Sequence, residues 1–174
     1  MSKVGLILEG GGMRGIYTAG VLDFFIEKDI EVDMVIGVSA GSCHASSYLS
    51  KQYKRAYHAT IDYIHDKNYL SFNNLIKTGS ILGMDFMFNT IPNLIKAVKN
   101  RHINYNESLK LVNNLSENED TLVIRPKNPV NVSQVEKNIS KLTALYEEGY
   151  NNAKQMCNQI LEFIDKNKKI KVTK

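Results

Sequence analysis

The sequence predicts an α/β sandwich on a mainly parallel sheet. Two short apolar runs, Val4 to Leu8 and Asp33 to Val38, each lead into a glycine-rich turn, as buried parallel strands do. Between them Ile16, Ala19, Val21, Leu22, Phe25 and Ile26 recur at helical spacing, and the pattern breaks at Lys28-Asp29. The Ala- and Ser-rich stretch from Ala40 to Gln52 supplies a second helix. Strand, helix, strand, helix is the order in which a crossover helix joins two parallel strands.

Beyond this opening the pattern is less regular. Tyr53 to Asn93 mixes aromatics, short apolar patches and turn residues such as Gly79, Gly83 and Pro92, with no dominant period. A helix resumes at Leu94, with Val98, Tyr105, Leu109, Val112 and Leu115 on or near one face. Thr121 to Ile124 predicts a third strand, stopped by Arg125-Pro126. Ser133 and Glu136 match a capping box, with Ser140 as the alternative cap. One last helix carries Leu142, Leu145, Tyr146, Tyr150, Ala153, Cys157, Ile160, Leu161 and Ile164 as a single apolar stripe, and Gly149 beside it permits close packing.

The 174 residues are 43% hydrophobic and 23% charged with 3 prolines, the balance of one ordinary globular domain spanning 1–174. No apolar run is long enough to span a bilayer, and Val4 to Leu8 stops at Glu9, so neither a membrane helix nor a secretory leader is predicted. Cys43 and Cys157 are too few for a disulfide framework or a zinc site, which fits a reducing cytoplasm. The net charge of +4 is accounted for by six lysines from Lys154 onward against Glu162 and Asp165. That pattern predicts a solvated helix end, and no nucleic-acid partner is expected.

Two glycine motifs carry the chemistry. Gly10-Gly11-Gly12-Met13-Arg14-Gly15 parses as G-x-G-x-x-G between a strand and a helix, a spacing that also serves dinucleotides. A dinucleotide fold needs an acid at the carboxyl end of the second strand. Asp33 stands at the beginning instead, and the carboxyl end carries Gly37-Val38-Ser39-Ala40-Gly41. This is G-x-S-x-G between strand and helix, where a sharp turn projects the serine beyond the sheet. The plainer reading makes Ser39 a helix N-cap. Loops after adjacent parallel strands open on the same edge, so Ser39 and the glycine loop are expected to face one crevice. Arg14 adds a positive charge suited to an anionic head group or to the loop's own structure.

Taken together, Glu9 to Gly15 followed by Gly37 to Gly41 resembles the patatin-like phospholipases. The similarity extends through Asp62 to Asn93 and returns at Asn100-Arg101-His102 and Thr121 to Pro126. It implies a three-layer sandwich and the hydrolysis of lipid carboxylic esters, with no metal or organic cofactor. Ser39 would be the nucleophile, Gly10, Gly11, Gly12, Met13, Arg14 and Gly15 the oxyanion hole, and Gly37, Val38, Ala40 and Gly41 the elbow. Expected partners are a lipid or other ester, a peripheral membrane contact and a second copy of the chain.

The family's base is an aspartate in a D-G-G or D-G-A motif. Here Asp23, Asp29, Asp33, Asp62, Asp66, Asp85, Asp120 and Asp165 are each followed by another residue, so no general base is assigned. The chain passes from the N-terminal block to the C-terminal block near Ile91 to Leu94, which predicts a reduced sheet with open edges. The alternative function is therefore an inactive remnant that binds lipid or a partner. Ser39, then Asp62 or Asp85, then His102 has the chain order of a hydrolase triad, but His44, His58, His65 and His102 read better as packing or surface residues.

Overall fold

The computed structural model describes residues 4–83 and 121–169. Its elements are β1 (Gly5–Leu8), a 3-10 turn (Gly12–Gly15), α1 (Ile16–Glu27), β2 (Met34–Gly37), α2 (Ala40–Leu49), α3 (Arg55–Ile61), α4 (Phe72–Thr78), α5 (Ile139–Gln155) and α6 (Cys157–Lys169). Among the described residues the sheet is a parallel pair, β1 beside β2, with Gly5 opposite Met34 and Leu8 opposite Gly37. Helices around a small parallel sheet make this an α/β arrangement, in the expected order. Asp33 fixes the register: its carboxylate accepts the Val4 N–H at 2.9 Å, and its own N–H donates to the Val4 carbonyl at 2.9 Å. The acid that stood at the wrong end for a ribose is a strand-pairing device.

Four expectations need correction. The strands are covered on one face only: Leu6 and Val35 pack against the core, whereas Ile7, Met34 and Ile36 are about half exposed among the described residues. Thr121 to Ile124 forms no strand; Leu122 and Ile124 pack against the core from an irregular segment, so their alternation reports burial without a ladder. Ser133 and Glu136 do not cap a helix. The cap is Asn138, whose side chain accepts from Lys141 N–H at 3.1 Å, while Ser140 lies inside the first turn. The last apolar stripe is carried by two helices, interrupted at Met156, and Leu161 on the second is exposed. The expected helix from Leu94 to Leu115 and the junction at 91–94 lie outside the described residues.

The core is organised by α1. Ile16, Ala19, Leu22 and Phe24 are almost wholly buried, and the helix is enclosed on most of its circumference, chiefly by α5. The two backbones touch. A methyl group on Gly20 would lie 2.1 Å from the Tyr146 carbonyl oxygen, and one on Gly149 would lie 2.1 Å from the Tyr17 carbonyl oxygen. Polar pairs flank this crossing. Tyr146 Oη donates to Asp23 Oδ2 at 2.7 Å, Asn152 Nδ2 donates to Tyr17 Oη at 2.9 Å, and Tyr150 Oη donates to Glu27. Asp23 is 2% exposed, and its second oxygen accepts the Lys54 backbone N–H at 2.9 Å, which ties the start of α3 to the same node. Burial pushes the Asp23 carboxyl up despite these hydrogen bonds.

Gly149→Ala is therefore expected to destabilise the fold by roughly 3 kcal/mol, because only separation of the helices relieves a contact between backbones. Urea unfolding of this variant beside Glu147→Ala, on the exposed face of the same helix, checks it. Equal midpoints would show that the helices are not in contact at Gly149.

Candidate active site

Ser39 joins β2 to α2 with φ 53° and ψ −121°. Positive φ is costly for a residue with a Cβ, on the order of 1–3 kcal/mol, and persists only where the surroundings enforce it. Here they do. Val38 N–H donates to the Leu8 carbonyl at 2.9 Å, Gly41 N–H to the Val38 carbonyl at 2.9 Å, and Ser42 Oγ to the Gly37 carbonyl at 2.6 Å. A methyl on Gly37 would sit 2.7 Å from the Gly41 backbone, and one on Gly41 would sit 2.5 Å from the Leu8 carbonyl oxygen. Both glycines are sterically required by the turn. Ser39 occupies the N-cap position of α2, but its side chain makes no capping hydrogen bond to that helix.

The glycine loop arrives on the same edge. A Cβ built on Gly10 would be 2.9 Å from Ser39 Cβ, which puts the first glycine against the serine. Gly12 to Gly15 wind into a 3-10 turn that runs directly into α1. Within this turn the Arg14 N–H donates to the Gly11 carbonyl at 3.2 Å, and the Met13 N–H donates to the Gln134 carbonyl at 3.1 Å. Arg14 Nε donates to the Val132 carbonyl at 2.8 Å. Of the two roles open to Arg14, the loop's own structure is the one visible in its contacts. The amides of Gly10, Gly11, Gly12 and Ala40 donate to no protein acceptor among the described residues.

The histidines divide. His44 lies one turn beyond Ala40 on α2, 7% exposed, and a methyl on Gly15 would be 2.9 Å from its Nε2 and 3.0 Å from Ala40 Cβ. It is thus a packing residue against the glycine loop, and desolvation lowers its pKa to about 4. His58 Nδ1 pairs with Asp62 Oδ2 at 3.2 Å on the exposed face of α3. Asp62 therefore has a local partner, while Asp85 and His102 lie outside the described residues. No hydrogen bond joins the Ser39 hydroxyl to a carboxylate or imidazole among the described residues. No three potential metal ligands converge there either. A shallow depression lined by Phe25, Ile30, Val32, Tyr48 and Lys51 lies by the other end of β2, away from Ser39.

Reading the sequence alone missed the contacts of Val132 and Gln134, since a main-chain carbonyl acceptor leaves no mark on residue identity. It also missed the place of His44, whose spacing from Ala40 on one helix face was the available signal.

The strained Ser39 turn and the glycine loop thus meet at one edge of the parallel pair. Residues 91–165 match a domain of unknown function, DUF6363. The chain is 30% identical over 86 residues to the uncharacterized protein YjjU of Escherichia coli (strain K12), covering 49% of this chain and 24% of that protein. It is 38% identical over 66 residues to M110.7 of Caenorhabditis elegans, named for a patatin-like phospholipase domain, covering 38% of this chain and 6% of that protein. The chain thus spans a quarter or less of the curated relatives it matches. No solved structure matches it significantly. No helix among the described residues is long and apolar enough to cross a membrane.

The depressed pKa of His44 has a consequence for stability. Unfolded, the imidazole titrates near 6.5; folded, it does so only near 4. Between these values the unfolded chain binds the extra proton, so acid favours unfolding by up to about 3 kcal/mol. The stabilisation is complete above pH 6.5 and lost as the pH falls toward 4. Asp23, with its raised carboxyl, responds in the opposite sense. The readout is therefore the difference between wild type and His44→Gln in denaturant midpoints across this range. The gap between them is expected to change steadily with pH, and a constant gap would refute burial of a neutral His44.

Proposed function

We propose that the chain is a patatin-like serine acyl hydrolase acting on carboxylic esters of phospholipids or simpler lipids, built on a three-layer sandwich with a reduced sheet. The observation that carries this reading is the Ser39 backbone, held at φ 53° and ψ −121° between two sterically required glycines, with Gly10 packed against it. The partial similarity to a protein named for a patatin-like phospholipase domain supports the same class. Ser39 Oγ attacks the acyl carbonyl, the alcohol leaves, and water releases the acid from the acyl-enzyme. The oxyanion takes its hydrogen bonds from amides without a protein acceptor among the described residues, those of Gly10, Gly11 and Gly12 in the loop and of Ala40 after the nucleophile. This narrows the donors within the loop from Gly10 to Gly15, because the Met13 and Arg14 amides are already engaged. The substrate is a lipid met at a membrane surface in the cytoplasm, and a second copy of the chain is a further expected partner.

The second reading is an inactive remnant that binds lipid or a partner. The Ser39 hydroxyl makes no hydrogen bond to a carboxylate or imidazole among the described residues, and no aspartate in the sequence precedes a glycine. Positioned general-base help is worth about 10² to 10⁴ in rate, so ester turnover is expected to be slow by that factor. A fluorophosphonate probe separates the readings. The hydrolase reading expects covalent labelling of wild type at Ser39 and none of Ser39→Ala. A folded wild type that stays unlabelled supports the remnant.

A further inference from the structure

We infer that the segment Val132–Gln134 is a clamp that fixes the glycine loop, and that Arg14 is the positioning residue that closes it. The segment lies inside the region matched to DUF6363, and the clamp gives that region a role in the site at the other end of the chain. Two carbonyls, two residues apart, meet two donors on consecutive residues: Gln134 accepts from Met13 N–H at 3.1 Å, and Val132 accepts from Arg14 Nε at 2.8 Å. The backbones themselves are in contact, since a methyl on Gly12 would lie 2.5 Å from the Gln134 carbonyl oxygen. Gly12 has φ +57°, the left-handed region that favours glycine, so the turn delivering Met13 to the clamp depends on it.

Both jaws are anchored. Met13 and Val132 are 4% and 6% exposed, so the contact is seated in the core. The loop continues without a break into α1. The clamp segment is held at its far side by Lys137 Nζ, which donates to the Leu70 carbonyl at 2.8 Å. Glu136 then accepts the N–H groups of Lys137 and Asn138 at 3.0 and 3.1 Å, turning the chain into α5. With the Met13 and Arg14 amides engaged, the loop amides without an acceptor among the described residues are those of Gly10, Gly11 and Gly12, and Gly10 is the one packed against Ser39. The clamp sets where these amides stand, and its catalytic meaning rests on the reading of them as oxyanion donors.

The test combines amide hydrogen exchange with the rate of fluorophosphonate labelling, both on the full chain. Arg14→Met removes a charge-assisted hydrogen bond, which is expected to speed exchange of the Met13 amide about tenfold. The Phe24 amide in the middle of α1 is expected to keep its protection. Arg14→Lys, which can still donate to a carbonyl, is expected to restore part of the effect. Gly12→Ala, which attacks the same contact sterically, is expected to act in the same direction. Lys127→Met, a surface charge elsewhere, serves as the control. Labelling of Ser39 is expected to slow by at least about tenfold in Arg14→Met, in proportion to displaced donors. Unchanged Met13 exchange in Arg14→Met overturns the clamp, and so does faster exchange with an unchanged labelling rate. If no form is labelled, the hydrolase reading fails by itself, and the clamp then stands or falls on Met13 exchange.

Discussion

The contact between α1 and α5 at Gly20 and Gly149 is the constraint from which the other positions follow. Two helices approach this closely only where neither presents a side chain at the crossing, and here each glycine meets a carbonyl of the opposite helix. The contact determines more than the core. The N-terminus of α1 is the glycine loop itself, and α5 begins five residues beyond Gln134. Fixing the crossing therefore fixes how the loop and the segment against it meet, although neither glycine lies near Ser39 in the chain.

Buried polar groups make the crossing specific. An apolar seam alone tolerates sliding and rotation, whereas Asp23 and Asn152 are satisfied in one arrangement only. Asp23 is placed where Tyr146 Oη and the Lys54 amide both reach it. A shift of α5 by one turn would leave a buried carboxylate without its tyrosine, a penalty on the order of several kcal/mol. The same carboxylate orients the first turn of α3, so α1, α3 and α5 share one register through one side chain. Its raised pKa is the electrostatic trace of that burial.

The parts legible in the sequence were those in which glycine is demanded locally. The apolar runs before Gly10 and Gly37 gave the two strands and their parallel pairing, and G-x-S-x-G gave a strained Ser39, because a tight turn restricts residue types within a few positions. Gly149 was legible as a packing site for the same reason. The short helices α3 and α4 were not, since one or two turns hold too few residues to establish a period, and α3 starts at Lys54 in a left-handed conformation with no capping side chain. Thr121 to Ile124 misled because a strand and an irregular segment lying on a core bury the same alternate residues. Ser133 and Glu136 had the spacing of a capping box, but the Glu136 carboxylate turns to the two amides after it, leaving the cap to Asn138. Arg14 was legible as a charge in need of a purpose; its acceptor, a carbonyl, was invisible.

The hydrogen bond between Arg14 and Val132 spans 118 positions in sequence, and that between Asp23 and Tyr146 spans 123. Contacts of such separation form late, because the chain between them must close before they can contribute. On a ribosome, β1, α1, β2 and the elbow emerge long before their partners are made. During that interval Ser39 can already sit in its turn, while α1 still shows the face that α5 will cover and the glycine loop has no carbonyl from Gln134 to lean on. The nascent chain thus exposes an unfinished site beside a bare helix, and both are completed together when the C-terminal segment arrives.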